Sequence, residues 1–161
     1  MIERRQAGVS DVEKLPRWLK PMNRLIVALQ RGGLVVGTMR VLSVPGRNSG
    51  RMQTTPVSPL VVGGRRYVVG GSAQADWVKN ARAAGWGILA CGRKKERVRL
   101  VELALEERAP ILGEFPKQVP GGIAFFRSMY ELPKEKEALP AAFAALAPRC
   151  AVFRLKGERM T

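Results

Sequence analysis

Short runs in which apolar and polar residues alternate fill the middle of the chain, and helical spacings lie on either side of them. Met22 to Gln30 is a short apolar stretch stopped by Gly32-Gly33, which predicts a helix. Leu34 to Val44, Thr54 to Val62 and Arg66 to Gly70 have the texture of strands separated by glycine-bearing turns. Gly63-Gly64 predicts a tight hairpin, because the reversal needs a positive φ that glycine adopts freely. Gln74 to Ala84 turns helical: Trp77, Ala81 and Ala84 fall at i, i+4 and i+7, giving one apolar face, and Gly85 ends it. Gly87 to Cys91 and Glu96 to Leu105 predict a second hairpin around Gly92-Arg93-Lys94-Lys95. Three helical stretches follow, Glu107 to Phe115, Ile123 to Leu132 and Glu135 to Ala147, broken by Pro116, Pro120 and Pro133. Cys150 to Leu155 reads as a closing strand. There is no repeat and no domain boundary. The pattern is that of one α+β domain with an antiparallel sheet, divided into a helical segment (1–33), a core (34–105) and a region of helices with a last strand (106–161).

Length and composition narrow the class. The 161 residues, 46% hydrophobic and 25% charged, suit one globular domain that buries about two-thirds of its unfolded surface. No apolar run approaches the roughly 20 residues of a spanning helix. The start, Met1-Ile2-Glu3-Arg4-Arg5, leads into mixed polar sequence without a signal-peptide core, so a cytoplasmic location with Cys91 and Cys150 reduced is expected. Both cysteines read as packing.

Charge changes the picture more. Twenty-eight Lys and Arg against thirteen Asp and Glu leave +15, and from Lys14 to Ala75 there are ten basic residues and no acidic one. Such a field concentrates anions, whether nucleic acid, acidic lipid or a phosphorylated cofactor; a composition basic throughout is the plain alternative. Arg17, Lys20, Arg24 and Arg31 flank the Met22 to Gln30 stretch, which suits either a helix covering one end of the sheet or one lying on a membrane surface. Histidine is absent. That removes Ser-His-Asp and Cys-His machinery and histidine-ligated metal sites, so no metal is expected and chemistry falls to a bound cofactor.

Two motifs carry the candidate chemistry. In Val44-Pro45-Gly46-Arg47-Asn48-Ser49-Gly50-Arg51, followed by Thr54-Thr55-Pro56, two glycines bracket basic and hydroxyl residues between strands. Such a loop points N–H groups, an Arg and a Ser at one anion, and is equally a plain hairpin loop. Asp76-Trp77-Val78-Lys79-Asn80-Ala81-Arg82-Ala83-Ala84-Gly85 then opens the helix after the next hairpin. In order and spacing the two resemble the nitroreductase-like, deazaflavin-dependent oxidoreductases of actinobacteria, with their Gly-Arg-x-Ser/Thr-Gly loop, Thr-Pro or Asn-Pro strand start and Trp-x-x-Asn helix. The resemblance covers Leu34 to Gly85 closely and continues loosely to Ala151-Val152-Phe153-Arg154-Leu155.

The resemblance implies a split β-barrel of about six to seven antiparallel strands flanked by short helices, with coenzyme F-420 (8-hydroxy-5-deazaflavin) in a groove. It assigns Arg47, Asn48, Ser49, then Gln53, Thr54, Thr55, Pro56, Val57 and Ser58, to the coenzyme's phosphate and tail. Gly70, Gly71, Ser72 and Ala73 would pass beside the ring, and Asp76, Trp77, Val78, Lys79 and Asn80 would complete the site. The tail is a phosphodiester followed by glutamates, which a basic face complements. The chain departs from the family at Asn48, Gln53 and Ala73, where relatives carry basic residues; Arg51, Arg65 and Arg66 are the neighbouring cations, and Lys79 and Arg82 face either the tail or solvent.

The activity implied is hydride transfer from the reduced coenzyme to an electron-poor small-molecule acceptor such as a quinone, an enone or a nitro-compound. With no histidine, the proton comes from solvent or from a hydroxyl, the candidates being Tyr130, Ser72, Ser58 and Tyr67. Phe125, Phe126, Met129 and Tyr130 read either as an acceptor wall or as core. FMN is the alternative cofactor, and a split barrel holding FMN, haem or lipid without turnover is the alternative function. A nucleic-acid binder, suggested by the charge and Arg93-Lys94-Lys95, is opposed by 6% aromatics and the lack of a recognition motif, so no nucleic-acid partner is expected. A homodimer is a further expectation.

Overall fold

Alternation along the central runs gives the sheet two faces, and each meets an apolar layer. The computed structural model describes residues 38–158. Its seven strands are Arg40–Pro45 (β1), Met52–Val57 (β2), Leu60–Val62 (β3), Arg65–Gly70 (β4), Trp86–Cys91 (β5), Lys94–Glu102 (β6) and Ala151–Gly157 (β7). They pair antiparallel in the order β2-β1-β5-β6-β7-β4-β3 and curl into a split β-barrel, an α+β fold as expected. The helices are Asp76–Ala84 (α1), Leu105–Gln118 (α2), Ile123–Arg127 (α3) and Leu139–Ala144 (α4). The helix expected over Met22 to Gln30, the segment 1–33 and the start of the strand from Leu34 lie outside the described residues.

One core fills the barrel beneath α1, where Leu42, Val44, Val68, Leu100 and Phe153 meet Val78 and Ala81. The other lies across the sheet under α2, α3 and α4, where Tyr67 and Val152 meet Leu112, Phe115, Phe126 and Phe143. Successive residues of β7 serve both: Val152 belongs to the helical layer and Phe153 to the barrel, as the period of two requires.

Several boundaries differ from expectation. The run Thr54 to Val62 is two strands. Ser58-Pro59 divides it, since Pro59 has no N–H to give a ladder, and β2 and β3 end on opposite edges of the sheet. The seam of the barrel is therefore spanned by covalent chain. The second hairpin turns on Gly92-Arg93 alone, with Gly92 at φ 61°, and its second strand runs Lys94–Glu102 rather than Glu96 to Leu105. Pro116 does not stop the helix, for α2 carries both Pro110 and Pro116 inside it. Each proline removes a hydrogen bond, at about 3 kcal/mol. Burial of Ile111, Leu112, Phe115 and Pro116 on one face offsets that, each large apolar side chain contributing about 1.5–3 kcal/mol. The stretch Ile123 to Leu132 is helical only through Arg127, and Glu135 to Ala147 is a 3₁₀ turn at Lys136–Ala138 followed by the short α4.

Candidate functional site

The loop after β1 is held in shape by its own hydrogen bonds. Gly46 N–H donates to Arg51 O (2.8 Å), Gly50 N–H to Gly46 O (2.8 Å) and Arg51 N–H to the Ser49 hydroxyl (3.2 Å). Gly50 sits at φ 74°, where a β-carbon would be strained. At Gly46 a β-carbon would come within 3.0 Å of both Gln53 Nε2 and Ser49 Oγ, so this glycine lets two polar side chains close over the backbone.

From the far side α1 reaches the loop. Its N-terminus starts at Asp76, and Asn80, one turn later, is a buried polar residue, 3% exposed. Asn80 Oδ1 accepts from Arg47 N–H (3.1 Å) and from Arg47 Nη1 (2.7 Å). The Arg47 guanidinium also donates to Asp76 Oδ1 (3.2 Å) and reaches Asp76 O (3.4 Å). Burial of an amide without partners is expensive, so these bonds fix the loop to the helix. The result is a polar concavity of about 150 Å³, walled by Arg47, Asn48 and Ser49 on the loop, Gln53 on β2, and Asp76 and Asn80 on α1. That volume suits a phosphate-sized group and is smaller than a ligand pocket for a ring system, which takes about 300 Å³ or more.

The other predicted site residues lie elsewhere. Thr54, Thr55 and Pro56 run along β2 away from the loop to the buried Val57. Ser58 follows, its hydroxyl 3.1 Å from Met39 Sδ and 3.3 Å from Thr38 Oγ1. Gly70 ends β4 under α1: a β-carbon there would meet Val78 Cγ2 at 2.6 Å and Trp77 Cζ2 at 3.1 Å. Val78 is fully buried, while Trp77 is half-buried and packs on the barrel core with its ring 6.0 Å from that of Phe153. Lys79 is half-exposed. Gly71 is covered by Phe125, whose Cε2 would be 2.7 Å from an added β-carbon. Ser72 accepts from Gln74 N–H (3.2 Å), and Ala73 N–H donates to Arg149 O (3.0 Å). α1 thus divides the predicted residues into two groups, the polar one facing the loop and the apolar one facing Gly70.

Tyr130 lies beside the second group. Its hydroxyl donates to Gly71 O, and the Arg149 guanidinium stacks on its ring at 4.8 Å. Phe126, 2% exposed, belongs to the helical core together with Phe115 and Phe143, which answers the choice between wall and core for that ring. Cys150 Sγ also reaches Gly71 O at 3.5 Å, and burial pushes its thiol up to about 12. Both cysteines are free.

Two cations named as neighbours of the site are committed elsewhere. Arg66 on β4 forks onto Glu96 on β6 (2.8 and 2.8 Å), and this hydrogen bonding holds the Glu96 carboxyl below its usual range. Arg82 on α1 forks onto Glu102 (2.7 and 2.8 Å) with the same effect on that carboxyl. Sequence reasoning missed Gly46 as a close-packed residue, although the Gly-Arg-x-Ser-Gly pattern held it, and missed Arg149, for which no local signal exists. No cluster of metal-ligating side chains occurs among the described residues, and no helix there is long and apolar enough to cross a membrane.

No family model and no curated protein matches the chain. Solved structures do. A domain-swapped dimer aligns with a TM-score of 0.53 at 16% identity, over 86% of this chain and 97% of that one. A protein of unknown function from Agrobacterium tumefaciens aligns at 0.53 and 14% identity, over 83% of this chain and 54% of that one. An F420-H2 dependent reductase, FDR-A, aligns at 0.50 and 18% identity, over 76% of this chain and 98% of that one. At such identities the likeness is one of fold.

Proposed function

We propose that this chain is an oxidoreductase that holds coenzyme F-420 with its phosphodiester at the Gly46–Gly50 loop and delivers a hydride to an electron-poor acceptor such as a quinone, an enone or a nitro-compound. The observation that carries the reading is the polar concavity, whose volume of about 150 Å³ and lining of Arg47, Ser49, Gln53 and Asn80 match the size and acceptor chemistry of one phosphate. FDR-A, which has this fold, is an F420-H2 dependent reductase, and that supports the class of cofactor. When bound, the reduced coenzyme supplies the hydride, which the side chains of this protein cannot.

What the chain contributes is placement. Asn80 aims Arg47, so the guanidinium is set before a ligand arrives and little ordering cost remains. Ser49 and the loop backbone offer further donors. Thr54 to Ser58 would follow the tail along β2. Gly70 to Ala73, with Trp77 above them, would border the ring, which requires side chains now packed on Gly70 and Gly71 to shift outward. Tyr130 is the first choice of proton donor, since its hydroxyl already lies at Gly71 O, with Ser72 and Ser58 as the other candidates. A small-molecule acceptor, and a homodimer such as the domain-swapped neighbour forms, are parts of the same proposal.

The test is a titration of the protein with oxidised coenzyme F-420, followed by tryptophan fluorescence, with FMN in parallel. Saturable quenching in the micromolar range, weakened about tenfold or more in Arg47→Ala, is expected from loss of a hydrogen bond to a charged group. Oxidation of the reduced coenzyme by menadione or a nitroarene would then establish turnover; binding without it would make the chain a carrier. No response to the deazaflavin ends the proposal.

A further inference from the structure

Among the described residues only two charged side chains line the concavity, and they cancel. Arg47 Nη2 lies 3.2 Å from the Asp76 carboxylate, whose side chain is 84% exposed. The remaining donors are neutral. Asn80 Oδ1 is taken up by the two Arg47 groups, which leaves Asn80 Nδ2 without a partner among the described residues although the side chain is 3% exposed and lines the concavity. The backbone N–H groups of Asn48 and Ser49 likewise have no protein acceptor among the described residues. Neutral donors satisfy the oxygens of either ester and add no net charge to the site. Asp76 distinguishes a monoanion from a dianion, because its carboxylate opposes each negative charge that Arg47 attracts and so removes the preference for a dianion that Arg47 alone would give.

We infer that Asp76 shifts the preference of this concavity away from doubly charged phosphomonoesters and toward singly charged phosphodiesters; the inference rests on the reading that a coenzyme's phosphate binds at the Gly46–Gly50 loop. A phosphomonoester has a second pKa of about 6 and carries close to two charges above pH 7, whereas a diester keeps one. Across exposed solvent-screened distances the additional repulsion is on the order of fivefold in affinity. FMN ends in a monoester and the deazaflavin's tail begins with a diester, so one carboxylate biases the site between the two cofactor classes that remain open for this fold. Asp76 also holds Arg47 and sits at the start of α1, where a carboxylate favours the helix dipole. A purely structural role would change affinity for both esters alike, so the ratio of the two is the discriminating quantity.

The experiment compares FMN with its 5′-methyl phosphodiester, which differ by one methyl group and one charge, and includes oxidised coenzyme F-420. Binding is measured by calorimetry at pH 8 for the wild type and Asp76→Asn, after thermal melts establish that the variant is folded. Relative to the wild type, Asp76→Asn is expected to move the diester-to-monoester affinity ratio about fivefold toward FMN. At pH 5, where FMN loses its second charge, this difference between the two proteins should shrink. A diester-to-monoester ratio unaltered by Asp76→Asn overturns the inference, even if coenzyme F-420 binds and the proposed function stands. A ratio that responds as expected while coenzyme F-420 fails to bind supports the selection and sinks the deazaflavin reading. Absence of binding by all three overturns both. Should Asp76→Asn not fold, Asp76→Ser is the second variant, read by the same ratio.

Discussion

On two sides of the start of α1, glycine-bearing segments are met in opposite ways. At the Gly46–Gly50 loop the contact is polar and open: Asn80 and Asp76 hold Arg47 by hydrogen bonds, and nothing lies within 4 Å of a β-carbon built on Gly50. At Gly70 and Gly71 the contact is apolar and closed, with Val78, Trp77 and Phe125 where a β-carbon would be. Glycine is used for conformation in the first place and for space in the second. A hydrogen-bonded concavity can be pre-set and still admit an anion, because its donors outnumber its acceptors. A packed apolar contact must open before anything enters, so the ring placement proposed for this side requires movement of the Trp77 and Phe125 side chains.

The contrast is broken or sharpened by substitution. Gly70→Ala should have the largest effect, destabilising by about 3 kcal/mol through overpacking against Val78, read as a fall in the midpoint of chemical unfolding. An effect under 1 kcal/mol would mean that α1 gives way readily and the closed side is not closed. Asn80→Ala should cost about 2 kcal/mol by removing both hydrogen bonds that tie Arg47 to α1, one of them from a charged group, and should weaken anion binding at the loop as well. Gly50→Ala should cost about 1 kcal/mol, from the left-handed backbone alone, since no atom opposes the added methyl. Equal costs at Gly50 and Gly70 would erase the distinction between conformation and space.

The smallest effect concerns Glu96, which lies in neither region. Its folded-state carboxyl is depressed by Arg66, so the stability from this pair is present above about pH 4.5, its ordinary value, and is lost as the pH falls through the lower folded value. With the Glu96 side chain 40% exposed, solvent screening leaves the pair under about 1 kcal/mol. Glu96→Gln should flatten the acid limb of stability by that amount in melts from pH 7 to pH 3 and leave anion binding at the loop unchanged. A gain of anion binding in this variant would return Arg66 to the site.

Much of the site's arrangement was legible along the chain because it is local. Gly-Arg-x-Ser-Gly between two strands predicts a loop with donors, and Trp-x-x-Asn places Trp77 and Asn80 three residues apart on a helix. The structure adds that the two side chains of that motif serve different neighbours, Trp77 the barrel core and Asn80 the loop. Arg66 and Arg82 illustrate the reverse. Both belong to the basic excess of the sequence, but their partners Glu96 and Glu102 come from β6, twenty or more residues along the chain, and pairing at that separation leaves no trace in local spacing.

By itself the sequence determined the antiparallel α+β class, the hairpin at Gly63-Gly64, the end of α1 at Gly85 and the composition of the loop. All of these follow from backbone preferences and periodicities that act within a few residues. Tertiary structure alone decided that Ser58-Pro59 carries the chain across the barrel seam, that α2 continues through Pro110 and Pro116, and that Arg47 faces Asp76 rather than open solvent. Each of those outcomes depends on which distant residues meet, and packing energies of a few kcal/mol then outweigh the local preference.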